Sequence, residues 1–241
     1  MIRDAYDPAA AIIGSGAESL EVAEEVERLR LVWRPSPVRI VMLAESHVWT
    51  SKDEALSRVR QPDGIETGFV RFVYCVGYGE QSLVVPPVLR NGGTPQYWQL
   101  LHDAVRGPQV PLVEISREAK PGERIAAKLQ LLNELKLAGI WLVDASITAL
   151  YGLPDKRRLS RRDYKNILEA CWKAHVGGVL ADCGASAVLI VGKGVNAAIG
   201  NLVSQASHKV AVIKQPNARM TREERCNQRR NVFDFCRPSS G

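Results

Sequence analysis

Apolar and polar positions alternate between two periods along this chain. ESLEVAEEVERLRLVW (18–33) places apolar residues at helical spacing with acidic residues between them, which predicts an amphipathic helix. RPSP (34–37) stops it. VRIVMLA (38–44) is apolar on both faces and predicts a fully buried strand. The polar stretch 51–68 predicts a helical turn and a loop. FVRFVYCVGYG (69–79), rich in β-branched and aromatic residues, predicts a strand running into a Gly-punctuated loop. VVPPVLRNGGTP (84–95) predicts an extended connection, and QYWQLLHDAVRG (96–107) a helix ending at Gly107.

The second half repeats the theme. A helix over 123–139 leads to a buried strand, IWLVDAS (140–146). A helix over 160–180 comes next, with Ser160 as N-cap and Asp163 three residues on. SAVLIVG (186–192) is a strand, 193–206 a helix that starts from a Gly-containing turn, 208–216 a strand ended by Pro, and 221–236 a terminal helix. Strands that alternate with helices and are apolar on both faces predict an α/β fold: a three-layer α/β/α sandwich with a mostly parallel central sheet. No repeat or low-complexity linker divides the chain. One domain over 1–241 is expected, with an N-terminal helix at 18–33, a core at 38–216 and an Arg-rich C-terminal helix at 221–236.

Composition narrows the classes. The apolar fraction, 46% of 241 residues, suits a globular core. No run approaches the ~18–20 apolar residues of a membrane span, and the N-terminus lacks a signal-peptide pattern, so a cytoplasmic protein with no membrane partner is expected. The five cysteines, at 75, 171, 183, 226 and 236, form no C-x-x-C pair. That argues against a zinc ribbon, an iron–sulfur ligand set or a disulfide framework, and no metal or cofactor is expected. The net charge of +6 concentrates in DKRRLSRRDYK (155–165) and ARMTREERCNQRR (218–230). Both readings stay open for these clusters: solvated helix faces, or a surface for nucleic acid.

In parallel α/β folds, ligands bind at the C-terminal ends of the strands. The side chains just past each apolar run are therefore the candidates: Glu45, Ser46 and His47; Tyr74 and Tyr78; Asp144; Lys193; Gln215 and Asn217. VGKG (191–194) lacks the rest of a phosphate-loop signature and reads as a tight strand-to-helix turn. Asp144, directly after IWLV, reads equally as a cap for the next segment or as a site residue.

Taken in order, these strand ends resemble the motifs of the uracil-DNA glycosylase superfamily. LAESHV (43–48) is similar to the GEAPG form of the first motif, with Ala44, Glu45 and Ser46 in the Gly, Glu and Ala places. WLVDASITAL (141–150) resembles the Asn-bearing strand of contexts like LLLNAVLTV, with Asp144 in the Asn place. VIKQPNAR (212–219) resembles the HPSP loop, with Gln215 for His and Asn217 for Ser. PQYWQLLHDAV (95–105) is similar to the helix after the family's aromatic segment. The resemblance spans roughly 38–235. The chain departs from the GQDPYH form at Ser46, which stands in the place of the water-activating Asp, and at Val48, which stands in the place of the methyl-excluding Tyr.

The resemblance implies a monofunctional glycosylase of base excision repair. It would hydrolyse the N-glycosidic bond of uracil or other deaminated bases in DNA, as a monomer without cofactor. Such cleavage needs a negative charge near the sugar, a donor near the base oxygen and a positioned water. Glu45, Ser46, His47, Gln215 and Asn217 are the implied catalytic positions. Asp144 would read the base edge, and Tyr78 or Tyr74 would stack on it. Arg219 or Met220 would fill the gap left by an extruded base, with Arg222 and Lys193 on DNA phosphates. A catalytically weak or inactive nucleic-acid-binding member of the same fold is the first rival. A small-molecule hydrolase with Ser46 as nucleophile and His47 as base is the second, although no G-x-S-x-G elbow exists.

Overall fold

The computed structural model describes residues 2–60, 66–116, 118–154 and 158–237. The central sheet has four parallel strands: β1 (Ile40–Ala44), β5 (Ile140–Asp144), β6 (Ala187–Val191) and β7 (Val210–Ile213), in the order β5-β1-β6-β7. Every residue of β1, β5 and β6 is buried, as their continuous apolar runs require. β7 lies at one edge and is half-exposed.

Helices cover both faces. α1 (Ile2–Ile13), α6 (Arg161–Cys171), α7 (Gly177–Cys183) and α8 (Lys193–Ala206) pack together as one layer. α4 (Pro95–Arg106), α5 (Pro121–Leu137) and α9 (Arg222–Cys236) pack together as the other. α2 (Leu20–Val32) lies beside β5, where Trp141 Nε1 donates to the Arg30 carbonyl at 3.0 Å. The three-layer α/β/α arrangement with a parallel sheet is therefore as expected. Ser160 caps α6 as the sequence implies, accepting the Asp163 N–H at 3.0 Å. The predicted 160–180 helix is continuous but passes through one π turn at Trp172–Val176. Residues 155–157 of the first basic cluster lie outside the described residues.

The helix expected to be N-terminal, at 18–33, is preceded by α1, and two further regions differ from the sequence pattern. Residues 69–79 form no strand. They run through successive tight turns, with Cys75 N–H donating to Phe72 O, Tyr78 N–H to Cys75 O and Glu80 N–H to Gly77 O. Their apolar character has another cause: nearly all are buried against the end and edge of the sheet. Local turns satisfy the backbone that a ladder would otherwise have paired. The polar stretch 51–68 holds more structure than a turn and loop. α3 (Lys52–Ala55) has a complete capping box, and β2 (Arg58–Arg60), β3 (Glu66–Gly68) and β4 (Val84–Val85) form a small antiparallel sheet.

The connection after β1 leads to the β5 side through α4 and α5. The connection after β6 leads to the β7 side through α8, on the opposite face. The chain thus diverges beyond the C-terminal ends of β1 and β6 and leaves a crevice there.

Candidate functional site

The crevice is bordered by the loops after β1, β5, β6 and β7. The first two run side by side beyond the sheet. Ala145 N–H donates to Ala44 O at 2.7 Å, Ser146 N–H to Glu45 O at 3.0 Å, and Trp49 N–H to Tyr151 O at 2.8 Å. This continued pairing fixes where Glu45 and Asp144 project. Gln215, after β7, reaches across and donates from Nε2 to the Glu45 carboxylate. Gly192 makes room for it. Its φ of +126° is closed to L side chains, and a Cβ there would lie 3.2 Å from Gln215 Cγ. Burial pushes the Glu45 carboxyl above its ordinary range, the Gln215 hydrogen bond holds it back, and the nearby Asp144 charge adds to the upward push.

Behind Glu45 lies a buried chain of charges. Asp144 accepts from Arg30 at 2.9 Å, and Arg30 also contacts Glu27. The ring of His47 is wedged between two carboxylates. Its Nε2 is 2.5 Å from Glu18 Oε1, and its Nδ1 is 3.6 Å from Asp144 Oδ2. Burial opposes a charge on this ring, but Glu18 and Asp144 outweigh it and push the His47 pKa up to about 9. The imidazolium therefore carries a proton on each nitrogen at neutral pH. The Nε2 proton goes to Glu18; Nδ1 has no hydrogen-bond partner.

Asp144 and His47 form the bottom of a narrow slot walled by Phe72, Tyr78 and Tyr97. The slot encloses about 30 Å³, room for a water molecule rather than a nucleobase. Phe72 stands edge-on to His47, with centroids 6.4 Å apart. Arg71, at the rim, is held by both Glu54 oxygens at 2.5 Å. Burial first, then the carboxylates of Asp144 and Glu45, push the Tyr97 hydroxyl upward, so it stays neutral. Tyr164, from α6, responds in the same way to burial and Glu45, and its buried hydroxyl has no partner.

The sequence-predicted residues fall into groups. Asp144, His47 and Tyr78 line the slot, while Glu45 and Gln215 are bonded to each other beside it. Ser46 is beside it, but its hydroxyl is committed to the backbone: it donates to His47 O and accepts from Leu150 N–H, both at 3.0 Å. It makes no bond to the His47 ring, so the Ser–His hydrolase pair is not assembled. Tyr74 is a correction. It is buried away from the slot, and its hydroxyl accepts the Leu142 N–H of edge strand β5 at 2.8 Å. It covers a sheet edge and is not free to stack on a base.

Asn217 and Lys193 flank a second groove next to Gln215, with Tyr151 and Lys214. Arg219 and Arg222 are exposed and form no ion pair among the described residues. Met220 lines the cleft between α4 and α9 instead of the slot. Within the Arg-rich helix, Arg229 is structural, bidentate to Asp103 at 2.7 and 2.8 Å. Phe72, Tyr97, Tyr151, Tyr164, Arg30 and Glu18 join the site without a local motif to announce them. Among the described residues, no group of three His, Cys, Asp or Glu side chains is placed to hold a metal, and no helix is long and apolar enough to cross a membrane.

No protein-family model matches this chain, and no curated protein or solved structure matches it either.

Proposed function

We propose that this chain is a monofunctional DNA glycosylase of the uracil-DNA glycosylase type, acting on deaminated bases. One observation carries the reading. At the bottom of an aromatic slot, a donor without a hydrogen bond, His47 Nδ1, lies 3.6 Å from its ion-pair partner Asp144 Oδ2, an acceptor that also receives Arg30. That pair is complementary to the C=O/N–H edge of a lactam. Uracil, hypoxanthine and xanthine carry this edge; cytosine and adenine, from which uracil and hypoxanthine arise, present an amine and a bare ring nitrogen instead. The four-stranded parallel sheet, with the site at its strand ends, agrees with the fold that the motif resemblance implies.

In this reading the target base leaves the stack and enters the slot, displacing the Tyr78–Tyr97 wall outward. The His47 imidazolium donates to the base oxygen that gathers negative charge as the N-glycosidic bond breaks. Asp144 accepts from the adjacent N–H. Glu45, on the same loop as His47, stabilises the cation-like sugar and takes the proton of the attacking water, whose oxygen ends on C1′. The base leaves with the bond's electron pair and is then protonated. Gln215 holds the Glu45 carboxylate in place.

The test is incubation with oligonucleotides carrying uracil, hypoxanthine or xanthine, and then alkaline cleavage of abasic sites. Strand scission by the native protein and none by the combined Glu45→Ala and Asp144→Ala variant are expected. One observation favours a second reading, a binding module without chemistry: Ser46 stands in the water-activating place with its hydroxyl tied to the backbone. Salt-sensitive binding with no scission of any of the three substrates would select that reading.

A further inference from the structure

Tyr151 is an aromatic residue whose backbone pairs the loops after β1 and β5 but whose ring lines no part of the slot. It is 51% exposed, yet held at its backbone and at its hydroxyl. Its carbonyl accepts from Trp49 N–H at 2.8 Å, its backbone bridges to Val48, and its hydroxyl accepts from Asn217 Nδ2 at 3.3 Å. A large apolar ring left in water is common; one that is fixed and set among cations at the mouth of a site is not. Tyr151 lines a groove of about 370 Å³ with Lys193, Lys214, Gln215, Asn217 and Ala218. Gln215 is the residue that bonds Glu45, and the two residues after Glu45, Ser46 and His47, line the slot, so the groove adjoins the slot across the loop after β1. Lys214 is engaged by Glu224 at 2.6 Å. Lys193 is exposed and has no ion pair among the described residues.

We propose that this groove is the subsite for the nucleotide adjoining the extruded one: its base stacks on Tyr151 and its phosphate meets Lys193. The inference rests on the glycosylase reading for which nucleotide sits in the slot, but the groove's chemistry stands on its own features. An exposed aromatic beside a free cation is how single-stranded nucleic acid is held without regard to sequence, because every base has a π-face. Stacking here requires the neighbouring base to leave its own stack. A single strand meets that requirement at little cost and a duplex does not, so the subsite favours single-stranded substrate.

The experiment uses the full chain and short single-stranded oligonucleotides with one uracil and the fluorescent base 2-aminopurine on its 5′ or 3′ side. In one of the two positions, binding quenches 2-aminopurine. Tyr151→Phe keeps the quench, since the ring remains. Tyr151→Leu, which keeps apolar bulk, abolishes it and weakens single-strand binding roughly tenfold, with a smaller effect on duplex. Lys193→Gln lowers the salt dependence of binding by a slope of about 0.7. Unchanged quench and affinity in Tyr151→Leu, while the native protein still releases uracil, overturn the subsite and leave the glycosylase reading standing. Ring-dependent quench in a protein that releases none of the three deaminated bases supports the subsite and overturns the glycosylase reading.

Discussion

At the scale of single residues, the site turns on Glu45 and on the backbone that lets Gln215 reach it. Glu45 sits where burial and Asp144 raise its pKa, so more of it is protonated in mild acid than of a free carboxylate. If Glu45 must be ionised to receive a proton from water, base release declines as pH falls through that raised value. A pH–rate profile shows this acidic limb. Glu45→Gln removes the limb and lowers the rate about 10²-fold or more. Gly192 carries the complementary prediction. Any L residue at its φ of +126° is strained, and a Cβ there crowds Gln215. Gly192→Ala costs about 1–3 kcal/mol in urea unfolding and weakens the Gln215 contact to Glu45. Ser46 has changed meaning. Beside His47 in sequence it has the look of a nucleophile; in the fold its hydroxyl links two loops.

At the scale of elements, the floor of the slot is a joint between α2, the segment just before it, and the ends of β1 and β5. Glu18 and Arg30 come from the first region, His47 and Asp144 from the strand ends, and all four are buried. Arg30→Met leaves Glu27 without Arg30 and Asp144 with His47 alone, and destabilises the chain by about 3–5 kcal/mol, read from the urea midpoint. His47 gives a pH signature. Its pKa is raised from an ordinary 6.5 to about 9. Its contribution to stability is therefore complete below about 6.5 and is lost as pH rises through 9. Thermal unfolding from pH 6 to 10 reads this as a falling melting temperature, and His47→Gln flattens that fall.

At the scale of the whole molecule, charge and topology point the same way. The helices that come after β5, β6 and β7 begin beyond the C-terminal ends of those strands, so the positive ends of α6, α8 and α9 face the crevice side. Lys193, Arg219, Arg222 and Arg225 are exposed at or near the starts of α8 and α9. If these four meet phosphates, single-strand affinity falls with salt at a log–log slope of about −3. Each replacement by Gln makes the slope shallower by about 0.7, whatever the base sequence. Fluorescence anisotropy at several salt concentrations measures it. Arg229, bound to Asp103, is excluded from that set, and Arg229→Gln should affect stability instead.

Much of the architecture was legible in the chain itself. VRIVMLA, IWLVDAS and SAVLIVG read as buried parallel strands because a sheet covered on both faces demands apolar side chains at every position. From those strands the position of Glu45, Asp144 and Gln215 at one end of the sheet could be read directly. FVRFVYCVGYG misled, because burial alone demands apolar residues and does not say whether the backbone pairs with a neighbour or with itself. Tyr74 was misplaced for the same reason. Only the tertiary structure decided the rest. Glu18 and Arg30 meet Asp144 and His47 across more than a hundred residues or several turns of chain, and no local period records such a meeting. The direction of a hydroxyl, the proton on His47 and the exposure of Tyr151 all depend on neighbours that folding alone brings together.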